Sequence, residues 1–98
     1  MTKDDMLMWV KNDLIYQRLK LGDMGFTMND IHNDVPLFDS EGLDLDSVDG
    51  LELAVGIEQK WGVKLGKMDD SMAKDHFQSP NTIANFVLEL QNNRSEGV

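Results

Sequence analysis

Apolar residues recur at helical spacing in three stretches of the chain, which are separated by segments rich in glycine, asparagine and aspartate. The first stretch has one clear apolar stripe, formed by Leu7, Val10, Leu14 and Leu21 with Met6 on its border. Thr2 and Asp5 form a capping-box variant ahead of it, so we expect a helix over about residues 3–21. Other apolar residues do not all fit the stripe, and some of them lie on the surface or under a loop: Met8, Trp9, Ile15, Tyr16 and Leu19.

The second stretch begins as an acidic loop at Gly42 and becomes helical at Ser47. The positive end of a helix dipole favours carboxylates, and three crowd the first turn here: Asp44, Asp46 and Asp49. Lys60 suits the last turn, and Gly62 is a typical stop. The pattern therefore places the Ser47 hydroxyl at or beside a helix N-terminus, near unpaired backbone N–H groups that can bind a phosphate.

Two apolar stripes lie on this second helix. The first is sufficient for a face toward a core and consists of Leu53, Ile57 and Trp61, with Ala54 beside them. The second lies roughly on the other side and consists of Val48, Leu51 and Val55. Either the helix is buried nearly all round, or the second stripe is an exposed docking strip bordered by Asp49 and Glu52. Periodicity alone slightly favours the buried helix.

The third stretch is the most regular. Ser79 and Pro80 provide an N-cap and a first-turn proline. The helix that follows has one apolar face, formed by Ile83, Phe86, Val87 and Leu90. A short helix from Asp69 or Asp70 to Phe77 precedes it. The packing residues of that short helix are Met68, Met72 and Phe77.

No stretch has the pattern of a strand, so the predicted fold is all-α, with three main helices, one short helix and a long loop after the first. Residues 1–91 form a single domain, and residues 92–98 form a frayed polar tail. The connection over residues 23–46 is long for a compact domain, which indicates a functional loop or one held down by its own apolar residues. Those residues are Ile31, Val35, Leu37, Phe38, Leu43 and Leu45.

Composition restricts the partners of this 98-residue chain. A net charge of −9 and a pI of about 4.4 disfavour nucleic acid and anionic membranes and favour basic protein surfaces. The sequence has no cysteine, which excludes a disulfide framework, a thiolate metal site and a cysteine nucleophile. No signal peptide or membrane-spanning segment is visible. We therefore expect a cytoplasmic monomer.

The run Leu-Asp-Ser-Val-Asp-x-Leu-Glu-Leu, residues 45–53, resembles the acyl carrier proteins. Their signature is Asp-Ser-Leu followed by an acidic amphipathic recognition helix. The similarity extends over about residues 4–90 and implies an acyl-carrier-like four-helix bundle. Val48 replaces the usual leucine, and Gln59 and Lys60 stand where the family usually has carboxylates. The acidic strip is therefore weaker at the far end of the helix.

The resemblance implies a non-catalytic shuttle that carries acyl intermediates as thioesters for fatty acid, polyketide or related synthesis. Its 4′-phosphopantetheine arm is attached to Ser47, which Asp46 precedes, and comes from coenzyme A through a phosphopantetheinyl transferase. The other implied partners are acyl-loading and synthase enzymes with basic docking surfaces. The implied docking residues are Asp44, Val48, Asp49, Leu51, Glu52 and Val55. The candidates for an acyl pocket are Leu53, Ile57, Trp61, Met72 and Phe86.

Two alternative functions remain beside the acyl carrier: a peptidyl carrier, and an acidic helical adaptor that binds a basic partner and never takes the arm. The strong acidity favours acyl over peptidyl carriage. Without the resemblance, Ser47 has the features of an ordinary N-cap serine.

Catalytic and metal sites are disfavoured. The acidic residues around Ser47 fail the ligand spacing of an EF-hand, so we expect no metal site. His32 and His76 have no metal spacing, and we assign neither a role. The chain lacks a Gly-x-Ser-x-Gly nucleophile motif, and a small helical chain offers little room for a closed catalytic pocket. We therefore expect no enzymatic activity.

Overall fold

The computed structural model describes residues 2–63, 65 and 75–96. Over these residues the chain forms helices and no strand, so the predicted all-α class is confirmed for the described part. The beginning of the predicted short helix at Asp69 or Asp70, with Met68 and Met72, lies outside the described residues. Its end is described: residues 75–76 are helical, and the predicted packing residue Phe77 is fully buried. None of the described helices is long and apolar enough to cross a lipid bilayer.

The first helical segment changes its geometry midway. Helix α1, Lys3–Trp9, is capped by the Thr2 hydroxyl, which accepts from the backbone N–H of Asp5 at 3.2 Å. The chain then continues into a π-helix, Val10–Gln17, and forms a short 3₁₀ helix, Leu21–Met24, after a turn. The predicted helix over residues 3–21 is therefore helical to Gln17, but it takes π-helical geometry from Val10 and ends earlier than predicted. The turn includes Lys20, which takes a left-handed conformation with φ of 55°.

The π-helix explains an apolar residue that fits no regular stripe. In π-helical geometry residues five apart are hydrogen-bonded along one face. Val10 and Ile15 have this spacing and are both fully buried, as is Leu14. An α-helical stripe includes Leu14 and leaves Ile15 out. The wider turn thus brings adjacent apolar residues into the core.

The long connection after this segment is fixed by backbone hydrogen bonds. The N–H of Leu43 donates to the carbonyl of Pro36 at 3.0 Å, and that of Leu45 donates to Leu37 at 2.8 Å. The N–H of Leu37 in turn donates to the carbonyl of Gln78 at 2.8 Å. Four of the six predicted stapling residues are buried: Ile31, Leu37, Leu43 and Leu45. Val35 and Phe38 are half-buried and pack against the core. The loop that leads into the next helix is therefore held in a fixed position.

Helix α2 spans Ser47–Trp61 and ends at Gly62, which has a left-handed φ of 67°. Helix α3 spans Pro80–Glu96. Its predicted cap is confirmed, because Ser79 Oγ accepts from the N–H of Thr82 at 3.3 Å. The backbone of α3 is helical into the segment assigned to the tail, whose fraying stays a prediction. The predicted apolar face of α3 contributes Ile83 and Val87 to the core.

Candidate functional site

The N-terminus of α2 is closed by a reciprocal pair of aspartates. Asp46 is the N-cap, and its Oδ1 accepts from the N–H of Asp49 at 3.0 Å. The Asp49 Oδ2 accepts from the N–H of Asp46 at 3.1 Å. These bonds form a capping box that satisfies two donors of the chain at the helix start. The interpretation of Ser47 as an ordinary N-cap serine is therefore wrong, because the preceding residue has that role.

Ser47 is the first residue of α2 and is exposed to solvent. Within the described part of the chain, its hydroxyl forms no hydrogen bond, and the backbone N–H groups of Ser47 and Val48 have no acceptor. Unsatisfied N–H groups at a helix start attract anions, together with the helix dipole. The site therefore presents an available hydroxyl beside donors that suit a phosphate.

The loop before Ser47 has a backbone conformation that only a few residues tolerate. Asp44 has a left-handed φ of 53°, and its N–H donates to the carbonyl of Asp39 at 3.1 Å. Aspartate is one of the few non-glycine residues that visit this region. Gly42 lies so close to Pro36 that an added Cβ would be 1.8 Å from the Pro36 carbonyl oxygen. Both residues shape the turn that leads into α2.

We name the exposed apolar residues Val48, Leu51 and Val55 the α2 strip. Val48 is 66% exposed and Leu51 is 55% exposed, whereas Val55 is half-buried. The opposite face of α2 is in the core, where Leu53 and Ile57 are fully buried. Of the two interpretations left open by periodicity, the helix buried all round is wrong, because two of the three residues of the second stripe are exposed. These two exposed apolar side chains lie one turn apart, so they form a small adjacent pair on the surface of α2.

The predicted acidic border of the strip is only partly available. Asp46 and Asp49 hold each other's backbone N–H groups in the capping box. Glu52 forms an ion pair with Arg18, in which Arg18 Nε and Glu52 Oε2 are 3.0 Å apart. Asp44 is exposed, and its carboxylate forms no hydrogen bond within the described residues. Negative charge is thus most accessible at the Ser47 end of the strip.

Arg18 is the residue of this surface that sequence reasoning missed. Besides its ion pair, its Nε donates to the Glu52 carbonyl at 3.0 Å, and its Nη1 donates to Gln59 Oε1 at 3.4 Å. The side chain crosses α2 at Gly56, where an added Cβ would be 2.8 Å from Arg18 Cδ and 2.6 Å from Leu14 Cδ1. Arg18 and Glu52 are 34 positions apart, so no local spacing indicates the contact.

The structure places the described candidates for an acyl pocket in two environments. Leu53 and Ile57 are in the core. Trp61 is half-buried and meets Trp9 edge to face, with ring centroids 5.4 Å apart. Phe86 is also half-buried and stacks on His76 with centroids 4.1 Å apart. Met72 lies outside the described residues.

An open groove of about 280 Å³ lies between the π-helix and α2. Its lining consists of Trp9, Asp13, Leu14, Arg18, Gly56, Gln59 and Lys60. The four acyl-pocket candidates that the structure describes are not in this lining. It is polar at its rim, where Lys60 Nζ also lies 5.6 Å from the centroid of the Trp61 ring.

Neither histidine is part of a cluster that suggests chemistry. His32 is exposed beside an open groove of about 650 Å³, and His76 is half-buried under Phe86. In the described ranges, no group of three His, Asp or Glu side chains is arranged to hold a metal ion.

Comparison of the chain with protein-family models and with curated proteins gave no match. The similarity to acyl carrier proteins therefore remains a resemblance of residues around Ser47.

Proposed function

We propose that the protein is an acyl carrier, in which a 4′-phosphopantetheine arm attached to Ser47 holds acyl intermediates as thioesters. The observation that carries the proposal is the state of the Ser47 hydroxyl, which is exposed at the start of α2 and unbonded within the described residues. A serine hydroxyl that served as the N-cap would have to give up its hydrogen bond to the helix backbone before it could be modified. Here Asp46 provides the cap, so modification does not disturb the helix.

The residues around Ser47 fit a phosphodiester. The N–H groups of Ser47 and Val48 face no acceptor within the described part of the chain and can donate to phosphate oxygens. Asp46 and Asp49 repel a phosphate, but each carboxylate already accepts a backbone N–H at the positive end of the helix dipole. Salt further confines the repulsion to within about 10 Å of these carboxylates. When bound, the arm supplies a thiol that a chain without cysteine lacks.

The α2 strip provides the docking surface in this proposal. Its partners are the transferase that adds the arm and the acyl-loading and synthase enzymes, each with a basic and partly apolar surface. The exposure of Val48 and Leu51 supports this role, as does the net charge of −9. The proposed fold is an acyl-carrier-like four-helix bundle, in which only the end of the short fourth helix falls among the described residues. The proposed location is the cytoplasm, where coenzyme A and the synthase enzymes meet.

The proposal is tested by incubating the protein with coenzyme A and a broad-specificity phosphopantetheinyl transferase, followed by intact mass measurement. We expect the mass to rise by one phosphopantetheinyl unit, and Ser47→Ala to abolish the rise. The chain offers a matched control in Ser40, which is also exposed and also follows an aspartate, but lies in a turn. Ser40→Ala should leave the mass shift intact.

The outcome also separates the alternatives. A folded protein that gains no mass contradicts the carrier and favours the adaptor, which uses the same exposed strip without an arm. A peptidyl carrier gains the same mass, so it is distinguished by loading. Acceptance of acyl groups from an acyl-loading enzyme, but not of aminoacyl groups from an adenylating enzyme, supports the acyl carrier.

A further inference from the structure

Arg18 occupies the Glu52 border of the α2 strip. Its guanidinium contacts the carboxylate and the carbonyl of Glu52 and reaches the side-chain amide of Gln59. The side chain of Arg18 is 28% exposed and that of Glu52 is 50% exposed, so both groups are within reach of a protein docked on the strip. The cation that would normally come from a partner at Glu52 is thus already supplied by the chain itself.

The backbone keeps Arg18 in this position. The π-helix packs so closely on α2 at Gly56 that a Cβ there would collide with Leu14 and with the stem of Arg18. The absence of that Cβ lets the aliphatic stem lie flat across α2. Two of the contacts of Arg18 are with backbone or side-chain oxygens that carry no charge, so they persist when Glu52 is drawn toward another cation.

We infer that Arg18 is a specificity-determining residue of the α2 strip, an inference that rests on the proposed docking role of that strip. A partner cation placed at Glu52 meets the like charge of Arg18, which opposes binding. Within the described residues, no cationic side chain is bonded to Asp44, Asp46 or Asp49, so a partner cation placed there meets no such competitor among them. The surface therefore fits a protein partner with an apolar centre and basic side chains at the Ser47 end only.

Two synthetic amphipathic helical peptides test the inference. Both contain the same leucines and the same number of arginines. In the end-charged peptide the arginines lie at one end, and in the flanked peptide they line the whole apolar face. Fluorescence anisotropy gives the affinity of each peptide for the protein. We expect the native chain to bind the end-charged peptide about two- to fivefold more tightly, the range of one exposed charge pair.

Arg18→Met should remove this preference, because methionine keeps a stem of similar length over Gly56 without the charge. Lys20→Met is the matched control. It removes one positive charge two positions away, from an exposed side chain that forms no hydrogen bond or ion pair within the described residues. This control should keep the preference of the native chain. Glu52→Gln removes the contested carboxylate and leaves the charge of Arg18 unpaired, so it should strengthen the preference for the end-charged peptide, and adding Arg18→Met to it should remove that preference.

The inference is overturned if Arg18→Met leaves the ratio of the two affinities unchanged, if Lys20→Met shifts it equally, or if the native chain binds neither peptide. If Arg18→Met does not fold, the ratio measured with Glu52→Gln decides, and an unchanged ratio overturns the inference. Arm transfer to Ser47 is measured separately. Transfer without any peptide preference leaves the carrier standing and removes the role of Arg18. Peptide preference without transfer keeps the role of Arg18 and contradicts the carrier.

Discussion

Replacing Gly42 with alanine should destabilise the protein, because the added methyl group collides with the backbone of Pro36. The new Cβ would lie 1.8 Å from the Pro36 carbonyl oxygen and 2.7 Å from its carbonyl carbon. These are backbone atoms, so relief requires movement of the chain rather than rotation of a side chain. Movement of Pro36 breaks the bond from Leu43, and the adjacent bond from Leu45 to Leu37 weakens with it.

The expected magnitude follows from these two effects. Overpacking costs about 1–3 kcal/mol, and each lost hydrogen bond costs about 0.5–1.5 kcal/mol. We therefore expect a loss of about 2–4 kcal/mol in the free energy of unfolding. This corresponds to a fall of roughly 10–25 °C in Tm for a domain of this size. The loss is large beside the total stability of about 5–15 kcal/mol typical of a domain.

Urea unfolding followed by circular dichroism measures this loss, with an unchanged m value as evidence that the denatured state is unaffected. Gly25→Ala is the matched control. Gly25 has a φ of 94° but nothing within 4 Å of an added Cβ, so its substitution tests conformational strain without collision. Of the two variants, Gly42→Ala should be the more destabilised. A loss below about 1 kcal/mol, or one no larger than that of Gly25→Ala, would refute the assignment of Gly42 as a site of obligatory close approach.

Three further predictions concern α2. Asp46→Ala removes the acceptor for the N–H of Asp49 and should lower the free energy of unfolding by about 1 kcal/mol. In the same urea assay Asp46→Asn should retain most of the stability of the native chain. Equal losses for the two variants would contradict the role of Asp46 as the cap. Asp49→Asn should lower the kcat/KM of arm transfer more than Glu52→Gln, because Arg18 already occupies Glu52; the reverse order would contradict the proposed charge distribution. Leu51→Ala should change stability by less than about 0.5 kcal/mol while weakening transferase binding. Leu53→Ala, in the core, should cost about 2–5 kcal/mol, and similar costs for both would show that the strip is not exposed in solution.

Local pattern was sufficient for the start of one helix and the end of another. The Ser79–Pro80 start of α3 and the Gly62 stop of α2 both follow from capping chemistry, which acts within a few residues. The change to π-helical geometry after Trp9 was not predictable in this way. This geometry allows Ile15 and Leu14 to be buried together. Both residues are buried only because other elements of the fold pack against the helix.

In the candidate site too, local features were predictable from the sequence and tertiary contacts were not. The exposed Ser47 and the acidic first turn of α2 are local features, and sequence analysis placed them at the helix start. The identity of the cap was missed, because Asp46 and Ser47 are both good N-caps and adjacent to each other. The pairing of Glu52 with Arg18 depends on the approach of the π-helix to α2 at Gly56. That approach depends on tertiary packing between distant segments, so it cannot be predicted from the spacing of residues.

The exposure of the α2 strip is the feature that the fold itself does not explain. Helix α2 is held by the burial of Leu53 and Ile57 and by the Asp46 cap, so it needs no apolar residue on its outer face. A single exposed apolar side chain, such as Met8, is ordinary on a protein surface. Val48 and Leu51 differ, because they lie one turn apart and beside the exposed hydroxyl of Ser47. Burying side chains of this kind yields about 1.5–3 kcal/mol each, and a partner docked at the strip would gain that free energy at the place where the arm is proposed to begin.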